Sequence, residues 1–339
     1  VALRLLEVAV SGNELERVPE LLKDARVVHF WTSTAANGIG LIRVLLDAQD
    51  TEALSDLLVR NFGSENGFRL VLMPVEATVP AIAEPPKSEA SDGEEAKQVK
   101  VGPKRISREE LYEDLAQASR LTAVYAVMVA LSTVVAAVGL IRGDVAIVIG
   151  AMVIAPLLGP NVALSLASTL GDRQLAKRSL KTIGVGVGIA AALSLLVGGL
   201  LSVDPSAPEI AARTRPGISD IALALAAGAA GSLAFTSGVP AVVVGVMVAV
   251  ALLPPLVVAG LLAGSGHAIL ALGALILLLT NMTCINLAAV ATFLVQKVRP
   301  RTWWQADRAR RATRVAAMTW IIMLLVLLGL MLLGDVGAA

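Results

Sequence analysis

The sequence predicts a polytopic α-helical membrane protein of about seven spans, with two inverted three-helix repeats containing proline-broken helices, behind an N-terminal ferredoxin-like α+β domain. Three observations carry that prediction. Hydrophobic residues make up 56% of the chain against 16% charged, and the mean hydropathy is +0.76, far from the balance of soluble domains. The excess is uneven: residues 1 to about 118 hold most of the acids, whereas 119–339 read as successive apolar runs. A fourteen-residue segment containing proline also recurs within those runs.

The domain at 1–78 is read from its periodicities. Leu3–Ser11 is rich in Leu and Val and reads as a strand. Residues 13–25 place Leu15, Val18, Leu21 and Leu22 at helical spacing. A second strand is expected at 27–33 and a third at 40–46, with Asn37-Gly38 as the hairpin signal between them. A helix follows at 50–62, capped by Asp50 or Thr51 and burying Leu54, Leu57 and Leu58, and 68–75 closes the unit. The order βαββαβ is that of a split-βαβ sandwich, which hosts many functions and specifies none. His29 is the sole histidine of this domain and no Cys pair accompanies it, so no metal site is expected. The Pro-, Glu-, Ser- and Lys-rich tract at 79–106 reads as a flexible linker.

Ser107-Arg108-Glu109-Glu110 is a capping box opening a helix that turns apolar from about Leu121 to Ile141. Further runs of spanning length lie at about 145–170, 182–203, 217–235, 239–263, 268–295 and 315–334. No cleavable signal peptide is visible at the start, so the first span is expected to direct insertion. Basic residues set the orientation. Arg173, Lys177, Arg178 and Lys181 follow span two, and Lys297, Arg299, Arg301, Arg308, Arg310, Arg311 and Arg314 follow span six. The opposite loops hold only Arg142, Arg213 and Arg215, so the eleven-to-three bias places the N-terminal domain in the cytoplasm and the C-terminus outside. Trp303 and Trp304 fit an interfacial anchor; the basic loop at 297–314 could meet anionic lipid, although topology control alone explains it. The cell inner (plasma) membrane of a bacterium is the expected location. The single Cys284 sits in an apolar run, which excludes an intrachain disulfide.

The functional argument rests on the recurrence. Residues 150–163 read GAMVIAPLLGPNVA and 245–258 read GVMVAVALLPPLVV, identical at seven of fourteen positions at an offset of 95 residues. The same offset carries span one onto span four and span three largely onto span six. Three spans per unit is an odd number, so the copies must run in opposite senses across the membrane, the plan of many secondary transporters. Pro156, Gly159 and Pro160 break one copy, and Pro254 and Pro255 the other. Each proline lacks an N–H and frees a carbonyl a turn earlier, which must be buried in protein or line a wet cavity. Asn161 follows the first break, with Ser165 and Ser168 on the next turns, and Thr280, Asn281, Thr283 and Asn286 lie within span six. These neutral groups, with no ionisable residue at the centre of any span, point to a small neutral or anionic solute rather than a carboxylate proton relay. Asn161, Asn281 and Asn286, with the five break residues, are the candidate binding set. A simple kink packed against a neighbouring helix would explain each break singly. Gly184 and Gly188 on span three, and Ala227, Gly228 and Gly231 on span four, form small-residue faces suited to close packing within a protomer or in a homo-oligomer.

The stretches ISREELYEDL, GLIRGDVAIVIGAMVIAPLLGPNVAL (139–164) and 280–290 resemble the bacterial and archaeal membrane family catalogued as domain of unknown function 389, over about 105–296. An N-terminal ferredoxin-like head is similar to members of that family as well. The resemblance implies a fold and a membrane location, and no substrate. The leading expectation is therefore a transporter or channel for a small solute, gated or informed by the cytosolic domain; the alternative is a non-transporting membrane sensor or scaffold. The spans hold no Ser/His pair, metal cluster or paired carboxylates, and His267 sits in a loop, so the chemistry of an enzyme is not expected. No cofactor and no nucleic-acid partner is called for; the partners expected are the bilayer, the solute and further copies of the chain.

Overall fold

The computed structural model describes residues 3–23, 25–35, 38–64, 67–75, 78, 106–237, 251–299 and 303–336, the side chains at 303–308 and 332–336 excepted. The chain divides into two compact units, 1–110 and 111–339.

In the first unit β1 (Leu3–Ser11), a 3-10 turn (Gly12–Arg17), α1 (Val18–Leu22), β2 (His29–Thr34), β3 (Ile39–Asp47), α2 (Thr51–Phe62) and β4 (Arg69–Val75) follow the expected βαββαβ order. The antiparallel sheet runs β2-β3-β1-β4, with β1 paired to β3 and β4. Alternation along β1 and β3 sends Leu6, Val8, Val10, Ile42, Val44 and Leu46 to one face, where Val18, Leu22, Leu54, Leu58 and Phe62 cover them. The expected helix at 13–25 is shortened to α1. Pro19 has no N–H to give to a preceding carbonyl, so the α-helix starts with it in the first turn, and residues 12–17 before it form a 3-10 turn instead. Gly38 takes φ +78° in the β2–β3 turn; Asn37 lies outside the described residues.

Neither expected cap serves α2 as foreseen. Asp50 occupies the N-cap position without a side-chain bond. Asp47 orders the turn instead, its carboxylate accepting from the Gln49 N–H at 3.1 Å while Thr51 donates its hydroxyl to the Asp47 carbonyl at 3.2 Å. Only half of the capping box at 107–110 forms: the Ser107 hydroxyl accepts from the Glu110 N–H at 3.2 Å, but the Glu110 carboxylate turns to Arg4 at 2.8 Å. Arg108 meets Asp56 at 3.3 Å and Glu52 at 3.8 Å, and also Glu109. Ile106 is buried. The first unit therefore uses residues 106–110 as well as 3–75. The rest of the expected linker lies outside the described residues.

The second unit is helical. Where one helix was expected from 107 to 141, the chain forms α3 (Arg108–Ala118) and α4 (Ala123–Arg142). Thr122 is extended and its hydroxyl caps the Tyr125 N–H at 3.1 Å, while the Ser119 carbonyl accepts from the Thr182 hydroxyl at 2.7 Å. Two polar residues thus give the backbone partners that a continuous helix would have supplied. Gly143 ends α4 at φ +65°, and Asp144 caps α5 (Val145–Ile154). Then come α6 (Leu158–Leu170), α7 (Arg173–Leu200, capped by Asp172), α8 (Pro208–Ala211), α9 (Ile218–Thr236), α10 (Leu253–Gly264), α11 (Ala268–Val295) and α12 (Trp303–Val336).

Among the described residues five helices are individually long and apolar enough to cross a membrane, and the bent pair α5–α6 makes six. The expected seventh, 239–263, is described only in its second half, α10, whose 12 residues cannot cross the roughly 30 Å hydrocarbon layer alone. The repeat half at 245–250 lies outside the described residues. The remaining element bounds recur at 95 residues. Moved by that offset, α4 begins where α9 does, α6 where α10 does, and α7 coincides with α11 at both ends.

Candidate functional site

The prolines act differently from expectation. Pro160 is the third residue of α6 and Pro255 the third of α10, positions in a first turn where no N–H has an intrahelical acceptor. They start half-helices and free no interior carbonyl. The first break itself lies at 155–157, where Ala155 is extended and α5 and α6 meet at 51°. Pro156 sits half-buried in this break. Gly159 has a packing reason: a Cβ there would come within 2.7 Å of the Ala118 Cβ at the end of α3.

Just inside α6, Asn161 donates its side-chain amide to the Leu157 carbonyl at 2.9 Å, covering the broken end of the chain. One turn on, the Ser165 hydroxyl donates to the Asn286 side-chain oxygen on α11 at 2.8 Å. Asn286 gives its amide to the Met282 carbonyl at 2.8 Å and to the Asn161 side-chain oxygen at 3.3 Å. Two of the three candidate asparagines therefore meet at the α6–α11 crossing, with Ser165 bridging them. Ser165 was noted in the sequence only as lying on the next turn. Its spacing of four from Asn161 was the available signal, since that spacing puts both on one helical face.

The third candidate, Asn281, stands apart from this trio. Its amide donates at 2.7 Å to the carbonyl of Ala251, two residues before α10 begins, so it serves the other break. All four polar side chains are at least nine-tenths buried. Among the described residues the Asn281 side-chain oxygen and the neighbouring Thr280 hydroxyl have no partner, a cost of about 1–3 kcal/mol for each such group when dry. Pro254 and Pro255 are buried in the same half-helix.

The 95-residue counterparts of Asn161, Ser165, Asn281 and Asn286 are Leu256, Gly260, Gly186 and Ala191. At the matching crossing, α10 on α7, a Cβ on Gly260 would fall 1.8 Å from the Ser194 hydroxyl oxygen, and one on Gly264 would fall 2.2 Å from the Leu195 carbonyl oxygen. One crossing is polar and the other is closed backbone to backbone. Among the described residues no cluster of His, Cys, Asp or Glu could hold a metal ion.

By length and composition the apolar helices are those of a helical membrane protein. Residues 152–287 match the family described as Domain of unknown function (DUF389). An uncharacterised protein of Methanocaldococcus jannaschii is 37% identical over 320 residues, covering 94% of this chain and 95% of its own. The chain belongs to the DUF389 family. No solved structure matches it.

Proposed function

We propose that the protein is a transporter or channel for a small polar solute, neutral or anionic, built on two inverted repeats, with the N-terminal unit as its gate or sensor. The observation that carries this reading is the buried Asn161–Ser165–Asn286 cluster where a broken helix crosses a long one. The inverted plan is supported by direction as well as by the common element bounds. The C-terminal end of α7 packs on the C-terminal half of α10, Gly198 against Leu261 and Gly199 against Gly264. Since α11 starts four residues after Gly264, it sets out from the end of the bundle that α7 reaches, and so runs against its counterpart α7. Basic residues segregate accordingly. Thr313 donates to the Ser168 and Thr169 carbonyls at 3.2 and 3.3 Å, which puts the basic start of α12 beside Arg173. A cytoplasmic location for that end and for the N-terminal unit, in a bacterial inner membrane, follows from the positive-inside rule and is part of the proposal.

The cluster is closed to solvent in this conformation, the state an alternating-access protein passes through between its two openings. The Asn281 oxygen, without a partner among the described residues, accepts only, so a solute reaching it must carry N–H or O–H donors, which favours the neutral class. A second reading, a membrane sensor or scaffold that carries nothing, is favoured by one observation: Asn161 and Asn286 satisfy each other and their own helices. Thiol accessibility separates the two. In a Cys284→Ser background, Asn161→Cys in proteoliposomes should react with a membrane-impermeant maleimide from at least one side. No reaction from either side, with Asn161→Ala and Asn286→Ala merely less stable, would leave the scaffold reading.

A further inference from the structure

Away from the buried crossing, a cleft of about 670 Å³ lies between the C-terminal end of α6, the first turn of α7 and residues 311–316 of α12. Its lining has two characters. Arg173, Arg311 and Asp172 supply charge, and Ala176, Val315 and Ala316 supply small apolar surface.

Asp172 is committed elsewhere. One of its oxygens accepts from the Gln174 and Leu175 N–H groups at 2.8 and 3.0 Å, and the other accepts from the Tyr112 hydroxyl at 2.7 Å. Neither Arg173 nor Arg311 has a carboxylate within ion-pair distance among the described residues. With two guanidinium groups against one carboxylate, the cleft is positive.

Its position is equally informative. Arg173 is the first residue of α7 and Arg311 the ninth of α12, and each precedes the apolar stretch of its helix. From Arg311 an apolar strip continues down one face of α12 at spacings of four, three and four. Val315, Met318 and Ile322 are 64%, 58% and 60% exposed. A positive cleft opening onto an uncovered apolar strip is complementary to a molecule with an anionic head and a hydrocarbon tail.

We propose that this cleft binds an anionic phospholipid, its phosphate held by Arg173 and Arg311 and an acyl chain lying along Val315, Met318 and Ile322. Guanidinium forks suit phosphate oxygens, and basic pockets between helices at a membrane face are known to take such headgroups. The inference does not depend on what the protein transports, or on whether it does.

The test uses the full chain, delipidated in neutral detergent and titrated with phosphatidylglycerol, phosphatidylcholine or glycerol 3-phosphate, with bound molecules counted by native mass spectrometry. Phosphatidylglycerol should be retained at least tenfold more than phosphatidylcholine, and glycerol 3-phosphate at the same concentration should not displace it. R173Q/R311Q should lose that preference, whereas R173K/R311K should keep most of it, which separates charge from folding. Equal retention of the two lipids, or an undiminished preference in R173Q/R311Q, would overturn the proposal. Displacement by glycerol 3-phosphate would overturn it in favour of a site for a soluble phosphate ester.

Discussion

Replacing Gly198 by alanine should weaken the α7–α10 seam more than any other single methyl group added to α7. A Cβ at Gly198 would lie 2.1 Å from the Leu261 carbonyl oxygen and 2.7 Å from the Leu261 Cα. Both obstacles are backbone, so no rotamer change can give way. Carbon normally keeps about 3.5 Å from its neighbours, so the helices must separate by over an ångström or one must bend. Overpacking of this kind costs about 1–3 kcal/mol, and the better helix propensity of alanine returns up to about 1 kcal/mol. A net loss of about 1–2 kcal/mol is expected, or several degrees in unfolding temperature for a unit of this size. Gly184 on the same helix is the control, because a Cβ there meets nothing within 4 Å. Thermal unfolding of purified Gly198→Ala and Gly184→Ala in one detergent measures both. If Gly198→Ala unfolds no earlier than the parent, or if Gly184→Ala suffers the larger loss, the close backbone approach of α7 and α10 is wrong.

The other predictions address separate parts of the chain. A fragment of residues 1–110 should unfold cooperatively and be more stable by about 1–3 kcal/mol than residues 1–78, since only the longer one retains Arg4–Glu110 and the Arg108 pairs; equal denaturant midpoints would count against those contacts. Burial, followed by its bond to Asp172, pushes the Tyr112 phenol up to about 12. The unfolded chain then releases that proton first, so stability should fall between about pH 10 and 12 and fall less in Tyr112→Phe; parallel pH profiles would refute the assignment. A Cβ added to exposed Gly184 or Gly188 would meet nothing within 4 Å among the described residues. Gly184→Leu with Gly188→Leu should therefore disrupt self-association without lowering monomer stability, and a parent that is strictly monomeric by native mass spectrometry would remove the basis for this. A cytoplasm-dependent reporter fused after Ala339 should stay silent, and a strong signal would reverse the proposed orientation.

The legibility of the sequence tracked the range of the interaction. β1 was readable to the residue because alternation is local and one face must be buried. The shortened α1 and the divided α3–α4 were also written locally, in Pro19 and Thr122, but each lay inside a stronger hydrophobic pattern that pointed to continuity. The four break prolines stand out in the sequence, but the effect of Pro160, Pro254 and Pro255 does not. A proline is disruptive in mid-helix and neutral in a first turn, and only the backbone tells which applies. The polar crossing could be anticipated as a set of residues that need partners, not as a set of pairs. Asn161 and Asn286 are separated by 125 residues, and the bridge through Ser165 depends on how α6 meets α11. The proposed lipid cleft joins residues about 140 apart; in sequence the loop at 297–314 could meet anionic lipid, but nothing paired Arg311 with Arg173, whose charge reads as a topology signal.

The contrast between the two crossings bears on how the bundle can move. Gly198, Gly260 and Gly264 bring α7 and α10 into backbone contact that leaves no room for sliding. The α6–α11 crossing is held by a few hydrogen bonds that can be exchanged for others, including bonds to a solute or to water. Any rearrangement would therefore part α6 from α11 more readily than α7 from α10. Of two crossings whose helices start 95 residues apart, one is a weld and the other a latch.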